Sequence, residues 1–274
     1  MSIQLQIENT STCNASCGFC PYPAAQRWGG TMAMDLYKKI LDEASGIDVI
    51  TQVCITGLGE PTLDRFVVER VRYAREKKPL AIIDLFTNGV YLTPAKFDAL
   101  RDAGISSIQV SLNAVNQEQH DQIMGLKGKF DVVCSNIDYA VANRGLVNLE
   151  VRAVINGDVF TRSDGYDFYD RWGQRGKGGY GALITEGNWA GDNRTVRKFD
   201  PKEPCYRALS QIYVMYDGRV TTCCFDPSGA QVFGDLRKQT LREIYSSRPY
   251  LKFREAHNDG RAEEYDICRG CTRI

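Results

Sequence analysis

Apolar positions change period along the chain, and each change marks an element. At the amino end polar and apolar residues alternate through Ile3, Leu5 and Ile7, which predicts a strand over 3–8. It runs into a cysteine-rich loop from Asn9 to about Gly30. Leu36, Ile40 and Leu41 then fall on one side of a helix over 34–45. A strand over 49–56 stops at a glycine-rich turn, a helix follows over 63–77, and a strand over 80–86 stops at Thr87-Asn88-Gly89. A helix over 94–103 starts at Pro94, with Thr93 as its N-cap. A strand over 105–112, a helix over 130–143 and a strand over 148–155 complete the regular part, with a sixth, fainter unit across 166–186.

Strands alternating with helices imply a parallel sheet built from βα units. Six such units are too few for a closed eight-fold barrel, so the expected class is α/β, a partial (β/α)6 barrel of the TIM type. Ligands in such sheets sit at the carboxyl ends of the strands, where every motif of interest here falls. The pattern changes near residue 190. Charges and two prolines over 198–204 read as a linker. Beyond it, strands over 211–216 and 219–223 flank Asp217-Gly218, a strong hairpin turn. A short helix over 240–245 follows, and the chain closes on Cys268-Arg-Gly-Cys271. The expected division is 1–197 and 198–274, the second part having little apolar core of its own and needing a metal staple.

Charge and composition narrow the function. The 34 basic and 34 acidic side chains cancel, which argues against a nucleic-acid partner. The start of the chain lacks a basic segment followed by an apolar one, and no apolar run approaches the ~18 residues of a membrane span. The expectation is a cytoplasmic protein without a membrane partner. There, ten cysteines are poor candidates for disulfides, and metal binding becomes the leading reason for any that cluster.

Cys13-Asn-Ala-Ser-Cys17-Gly-Phe-Cys20 brings three thiols into eight residues. Zinc would want four ligands, and the two histidines, His120 and His257, are distant in sequence. Three thiolates suit a [4Fe–4S] cluster with one iron left open to substrate. The C-x-x-x-C-x-x-C spacing, with Phe19 before the last cysteine, resembles the signature of the radical S-adenosylmethionine (radical SAM) superfamily. That resemblance implies an open iron chelating the methionine amino and carboxylate groups. It further implies electron transfer to the sulfonium and a 5′-deoxyadenosyl radical that takes hydrogen from substrate. Three further segments are similar to the family's pattern. Gly57-Leu-Gly59-Glu60-Pro61 resembles the segment whose carbonyls and carboxylate hold the methionine ammonium, a role that suits Glu60. Ser111-Leu-Asn113, expected on one face of the strand end, resembles the polar pair that meets the ribose and carboxylate. Phe86-Thr-Asn88-Gly89 resembles the pocket lining, where Asn88 shapes first and contacts second. Arg152, a charge among apolar neighbours, takes the place of a basic residue that faces the methionine carboxylate in the family.

Cys205, Cys223, Cys268 and Cys271 form a second set, of zinc or iron–sulfur type on the residues alone. The flanking segments, Tyr213 to Asp226 and Phe233-Gly-Asp-Leu236, resemble the superfamily's auxiliary-cluster domain, called SPASM with two clusters and twitch with one. Cysteines after Cys205 are too few for two full sets, so the resemblance implies twitch and two [4Fe–4S] clusters in the whole chain. Cys224, adjoining Cys223 on an expected strand, faces the other way; it is a packed thiol or a hydrogen-atom donor to a substrate radical. Cys54 and Cys134 read as core. The segment from Asp158 to Arg197 matches nothing and is expected to hold substrate-determining residues. With the first cysteine so near the start and no leader-binding module before it, the expected substrate is a small molecule, in line with dehydrogenases and epimerases of aminocyclitols and aminoglycosides. A peptide modifier and a non-catalytic metal scaffold are the alternatives. The resemblance also implies a reductase partner such as flavodoxin or ferredoxin.

Overall fold

Six parallel strands follow one another in chain order across a single sheet. They are β1 (Ile3–Ile7), β2 (Ile50–Ile55), β3 (Ile82–Thr87), β4 (Ser107–Ser111), β5 (Asn148–Ile155) and β6 (Gly179–Thr185). The computed structural model describes residues 2–22, 25, 27, 29–155, 159–173, 179–185, 204–269 and 271. Connecting helices are α1 (Met34–Ser45), α2 (Val67–Lys77), α3 (Pro94–Asp102), α4 (Gln117–Met124), α5 (Phe130–Asn143) and α6 (Arg162–Trp172). Alternate strand residues, including Leu5, Val53, Leu85, Val110 and Leu149, are sealed against Tyr37, Val71, Phe97 and Ile137 of the helices. This is the (β/α)6 partial barrel expected. Cys54 and Cys134 are buried, as anticipated. No helix among the described residues is long and apolar enough to cross a membrane.

Two expectations change. The helix over 63–77 splits into a 3-10 turn, Pro61–Leu63, and α2, because the Asp64 carboxylate accepts the Phe66 amide at 2.9 Å and breaks the run. The helix α4 is one that the periodicity does not announce; Asn116 caps it and left-handed Gly125 ends it.

The carboxyl-terminal part continues the same sheet. β7 (Gln211–Val214) follows the short helix α7 (Tyr206–Ser210) and pairs in parallel with β1. β8 (Arg219–Thr221) and β9 (Val232–Asp235) then add antiparallel strands, giving the order β6-β5-β4-β3-β2-β1-β7-β8-β9. Helices α8 (Leu241–Tyr245) and α9 (Arg248–Asn258) cover this edge, and Phe233, Tyr250 and Phe253 join the common core. The boundary expected at 197/198, the whole of 186–197 and the expected linker over 198–204 up to residue 203 lie outside the described residues.

The cysteine loop between β1 and α1 is closed at its base. Met32 N donates to Asn9 O at 2.8 Å, Ser11 N to Gly30 O at 2.8 Å, and Thr10 bridges Thr31. Below the closure the Arg70 guanidinium meets Asp64 at 2.6 Å, both side chains fully buried, while Asn9 donates to the same carboxylate at 3.0 Å and Arg70 also reaches Met32 O. Removing one partner of such a pair strands a buried charge. Asp64→Ala should therefore cost about 3–5 kcal/mol in chemical denaturation. Lys38→Ala, which opens the exposed Lys38–Glu69 pair, should cost under about 1 kcal/mol. Equal losses in the two variants would contradict the assignment.

Candidate active site

Three thiols face one another in the loop after β1. Ser16 N and Gly18 N donate to Met124 O and Ile123 O at 2.9 and 3.1 Å, which docks the Cys17 stretch on the end of α4. The Cys17 thiol lies 3.5 Å from the Met124 sulfur. Burial pushes the Cys13 thiol up to about 11, and the Cys17 and Cys20 thiols also rise through burial. Charge on Cys20 would oppose ionisation at both Cys13 and Cys17, so the three sulfurs share one locus. Phe19 is half-buried against the core.

The turn after β2 lies directly on this loop. Glu60 N donates to Thr12 O at 2.8 Å. A Cβ at Gly59 would stand 2.4 Å from Thr10 O, and one at Gly57 would stand 2.4 Å from the Glu8 side chain, so both positions require glycine. The buried Glu60 carboxylate accepts Thr62 N at 3.0 Å, Thr62 Oγ1 at 2.5 Å, Thr87 Oγ1 at 2.6 Å and Asn88 N at 2.6 Å. It ties this turn to the end of β3, three of these bonds falling on Oε1 and one on Oε2. Asn88 donates to Asn14 Oδ1 at 2.8 Å, inside the cysteine loop, in keeping with its shaping role.

Ser111 is half-buried at the end of β4, and the strand stops there. Asn113 has φ of 56°, so strand alternation no longer governs its direction. Its amide accepts Val154 N at 2.9 Å and donates to the Met124 sulfur at 3.0 Å. Arg152 is not the unpaired charge that its apolar neighbours suggested. Its guanidinium meets Glu150 two residues back and lies 5.6 Å from the Phe86 ring centre.

The second set encloses a cavity of about 460 Å³, counting its open mouth. Cys205, Cys223, Cys268 and Cys271 line it together with Arg207 and His257. Among the described residues, no group of three or more His, Cys, Asp or Glu side chains is placed to hold a single metal ion. An all-thiol donor set around an open volume suits an iron–sulfur cluster. The expected strand across 219–223 ends at Thr221, so Cys223 and Cys224 part by a turn, not by strand alternation. Cys223 reaches the cavity, while Cys224 lies outside its lining, with its sulfur 3.5 Å from Arg207 Nη1. Burial raises both thiols, Arg207 offsetting part of the rise at Cys224.

The sheet has a second face, turned away from the helices. Parallel strands buried on both faces usually read as unbroken apolar runs. Here most of the alternate positions are polar: Gln4, Gln6 and Glu8; Gln52 and Thr56; Asp84; Gln109 and Ser111; Glu150 and Arg152, with Cys54, Ile82, Phe86 and Val154 as the apolar members. Gln211 donates to Gln4 and Gln6 at 2.7 Å each, and Gln52 donates to Asp84. The Gln109 side-chain oxygen is buried with no partner among the described residues. Such an atom marks a face that holds water or a polar ligand.

Comparison with known proteins follows this geometry. Residues 7–155, more than half of the 274, match the model of the radical SAM superfamily. The chain belongs to the radical SAM superfamily. Residues 205–272 match the SPASM model, an iron–sulfur cluster-binding domain. This radical SAM chain is 22% identical over 279 aligned residues to the S-adenosyl-L-methionine-dependent 2-deoxy-scyllo-inosamine dehydrogenase of Niallia circulans, covering 98% of the chain and 92% of that enzyme. A PqqA peptide cyclase of Ruegeria pomeroyi is 35% identical over 130 residues, 47% of the chain and 33% of the cyclase. In fold, the chain matches the crystal structure of BtrN in complex with AdoMet and 2-DOIA at TM-score 0.72 and 20% identity, covering all of the chain and 94% of BtrN. Domain content thus assigns S-adenosylmethionine and [4Fe–4S] clusters to this radical SAM enzyme.

Sequence reasoning missed Glu8, Met124 and His257. Met124 was discoverable, since Asn116 and Gly125 bracket a helix; the other two act over long range.

The raised thiols set a pH dependence. A thiol with a folded value near 11 against about 9 when unfolded favours the folded metal-free chain fully below pH 9, and this contribution fades as pH climbs toward 11. The urea midpoint of the metal-free chain should fall over that interval. In the triple variant Cys13→Ala, Cys17→Ala, Cys20→Ala the fall should be shallower; an unchanged slope would show that these thiols are exposed.

Proposed function

We propose that this radical SAM enzyme oxidises a secondary alcohol of a small aminocyclitol-like substrate to a ketone. The observation that carries this reading is the polar inner face of the sheet, with the buried, partnerless Gln109 oxygen on it. A small polyhydroxylated molecule supplies the donors and acceptors such a face lacks. The near full-length match to an inosamine dehydrogenase supports the same class. When bound, the first cluster with S-adenosylmethionine would supply radical chemistry for removal of the carbinol hydrogen atom, and the second cluster would serve as acceptor for the electron released with the hydroxyl proton.

In this proposal Cys13, Cys17 and Cys20 hold the first cluster and leave one iron open. Carbonyls of the Gly57–Gly59 turn meet the methionine ammonium, with Glu60 keeping the turn in shape. Phe19 and Asn88 wall the adenosine side, and Ser111 and Asn113 border the ribose. Arg152, oriented by Glu150, faces carboxylate or substrate hydroxyl. Cys205, Cys223, Cys268 and Cys271 hold one auxiliary cluster, the twitch arrangement, in a domain we assign to 198–274. A flavodoxin or ferredoxin supplies the reducing electron, in the cytoplasm and without nucleic acid.

A second reading rests on Cys224, whose buried thiol lies outside the cavity lining and would bear electrostatically on Cys54 of the inner face. From there it would return a hydrogen atom to a substrate radical, giving epimerisation without net oxidation. A peptide substrate, suggested by the local cyclase match, is the remaining alternative.

Anaerobic assays with dithionite, S-adenosylmethionine and 2-deoxy-scyllo-inosamine separate these readings. Cys17→Ala should abolish 5′-deoxyadenosine; undiminished cleavage, with cluster content verified, overturns the first-cluster assignment. Cys268→Ala should reduce ketone formation more than uncoupled cleavage. Deuterium at the carbinol carbon should appear in recovered 5′-deoxyadenosine. Full ketone formation by Cys224→Ala supports dehydrogenation, whereas loss of an inverted product in that variant supports the epimerase.

A further inference from the structure

We infer that His257 tunes the auxiliary cluster by donating a hydrogen bond to the Cys268 sulfur and so raising its reduction potential. His257 Nε2 lies 3.3 Å from Cys268 Sγ, within hydrogen-bonding range for sulfur. Both residues line the thiol-ringed cavity. A ligating thiolate carries no proton, so the imidazole must be the donor in that contact.

The ring is held for this task. His257 is 2% exposed and sits one helical turn beyond Phe253 on α9, whose ring centre is 4.4 Å away. Tyr265, three residues before Cys268, lies 6.3 Å from the imidazole with planes 23° apart and 4.9 Å from Phe253, so the three rings form one cluster. Packing in that cluster holds the imidazole, and burial removes the competing water. A donor to a cluster sulfur favours the more negative, reduced state and lifts the potential. The Arg207 guanidinium lines the same cavity and acts in the same sense through its charge. This pairing suits a cluster that receives an electron.

The inference rests on the proposed ligand set Cys205, Cys223, Cys268 and Cys271, and its test separates the two. The full chain carrying Cys13→Ala, Cys17→Ala and Cys20→Ala is reconstituted anaerobically, leaving only the auxiliary cluster. Dye-mediated titration followed by electron paramagnetic resonance then gives its midpoint. A chain with no cluster signal overturns the ligand set and the inference with it. With the cluster present, His257→Leu should lower the reduced-to-oxidised ratio about tenfold at the parent midpoint, a shift of about 59 mV for one electron. His257→Gln, which keeps a donor, should stay near the parent. A His257→Leu chain with full iron content and the parent midpoint overturns the inference.

If His257→Leu does not retain its cluster, the unmutated histidine decides. The chain has two histidines, and His120 packs on Phe130, away from the auxiliary cavity. With ¹⁵N-histidine in the triple variant, a weakly coupled nitrogen and an exchangeable proton at the reduced cluster support the hydrogen bond. No nitrogen coupling, or the strong coupling of a direct ligand, overturns it.

Discussion

A single buried carboxylate holds the two halves of the site in register. Glu8 follows β1 and is shut off from solvent. It accepts Arg27 Nη1 at 3.0 Å and Nη2 at 3.4 Å from the cysteine loop. It also accepts Leu58 N at 3.1 Å from the turn after β2, and Tyr216 N at 3.0 Å from the hairpin after β7. A carboxylate removed from water is tolerated only with its lone pairs filled, and each of these donors comes from a different working segment. Arg27 extends the link, donating Nε to Pro227 O at 2.6 Å, just beyond Cys223 and Cys224. The charge therefore does more for relative position than for net stability, since buried pairs contribute little after desolvation.

The position of β1 explains why this works. It is the strand between β2 and β7, so its end is the one place where the cysteine loop, the methionine-side turn and the auxiliary hairpin meet. The auxiliary part is grafted on the sheet edge and shares the core, which fixes its orientation to the lumen through ladder hydrogen bonds. A linker alone would leave that relation loose. The electron transfer proposed above, from substrate to an auxiliary cluster, would need this constancy.

Much of this was legible before any coordinates. The βα alternation, the hairpin at Asp217-Gly218 and both thiol sets follow from local pattern, and local pattern is what sequence reports best. Thr93 caps its helix as Pro94 suggests, its hydroxyl oxygen accepting the Lys96 amide. Failures share one cause. Glu8 and Leu58 are 50 residues apart, and Glu8 and Tyr216 are 208 apart, so no window contains the contact. The partner of Arg152 was two residues away on the same strand, yet Glu150 reads as an exposed residue until the sheet is seen to have a polar inner face. Asn113 does not follow the strand's two-residue repeat, because its backbone is left-handed.

The polar inner face is also what separates the substrate classes. An extended peptide binds by main-chain pairing at a sheet edge or through apolar pockets. This surface offers amides, two carboxylates and a guanidinium, several of them held in pairs. Polar groups so arranged reward a rigid molecule carrying many hydroxyls, since every hydroxyl both donates and accepts. They also discriminate strongly, because an analogue that lacks one hydroxyl leaves a buried partner unsatisfied. On the proposed reading, selectivity for a small polyol would lie in the strand alternation itself, before any loop contributes.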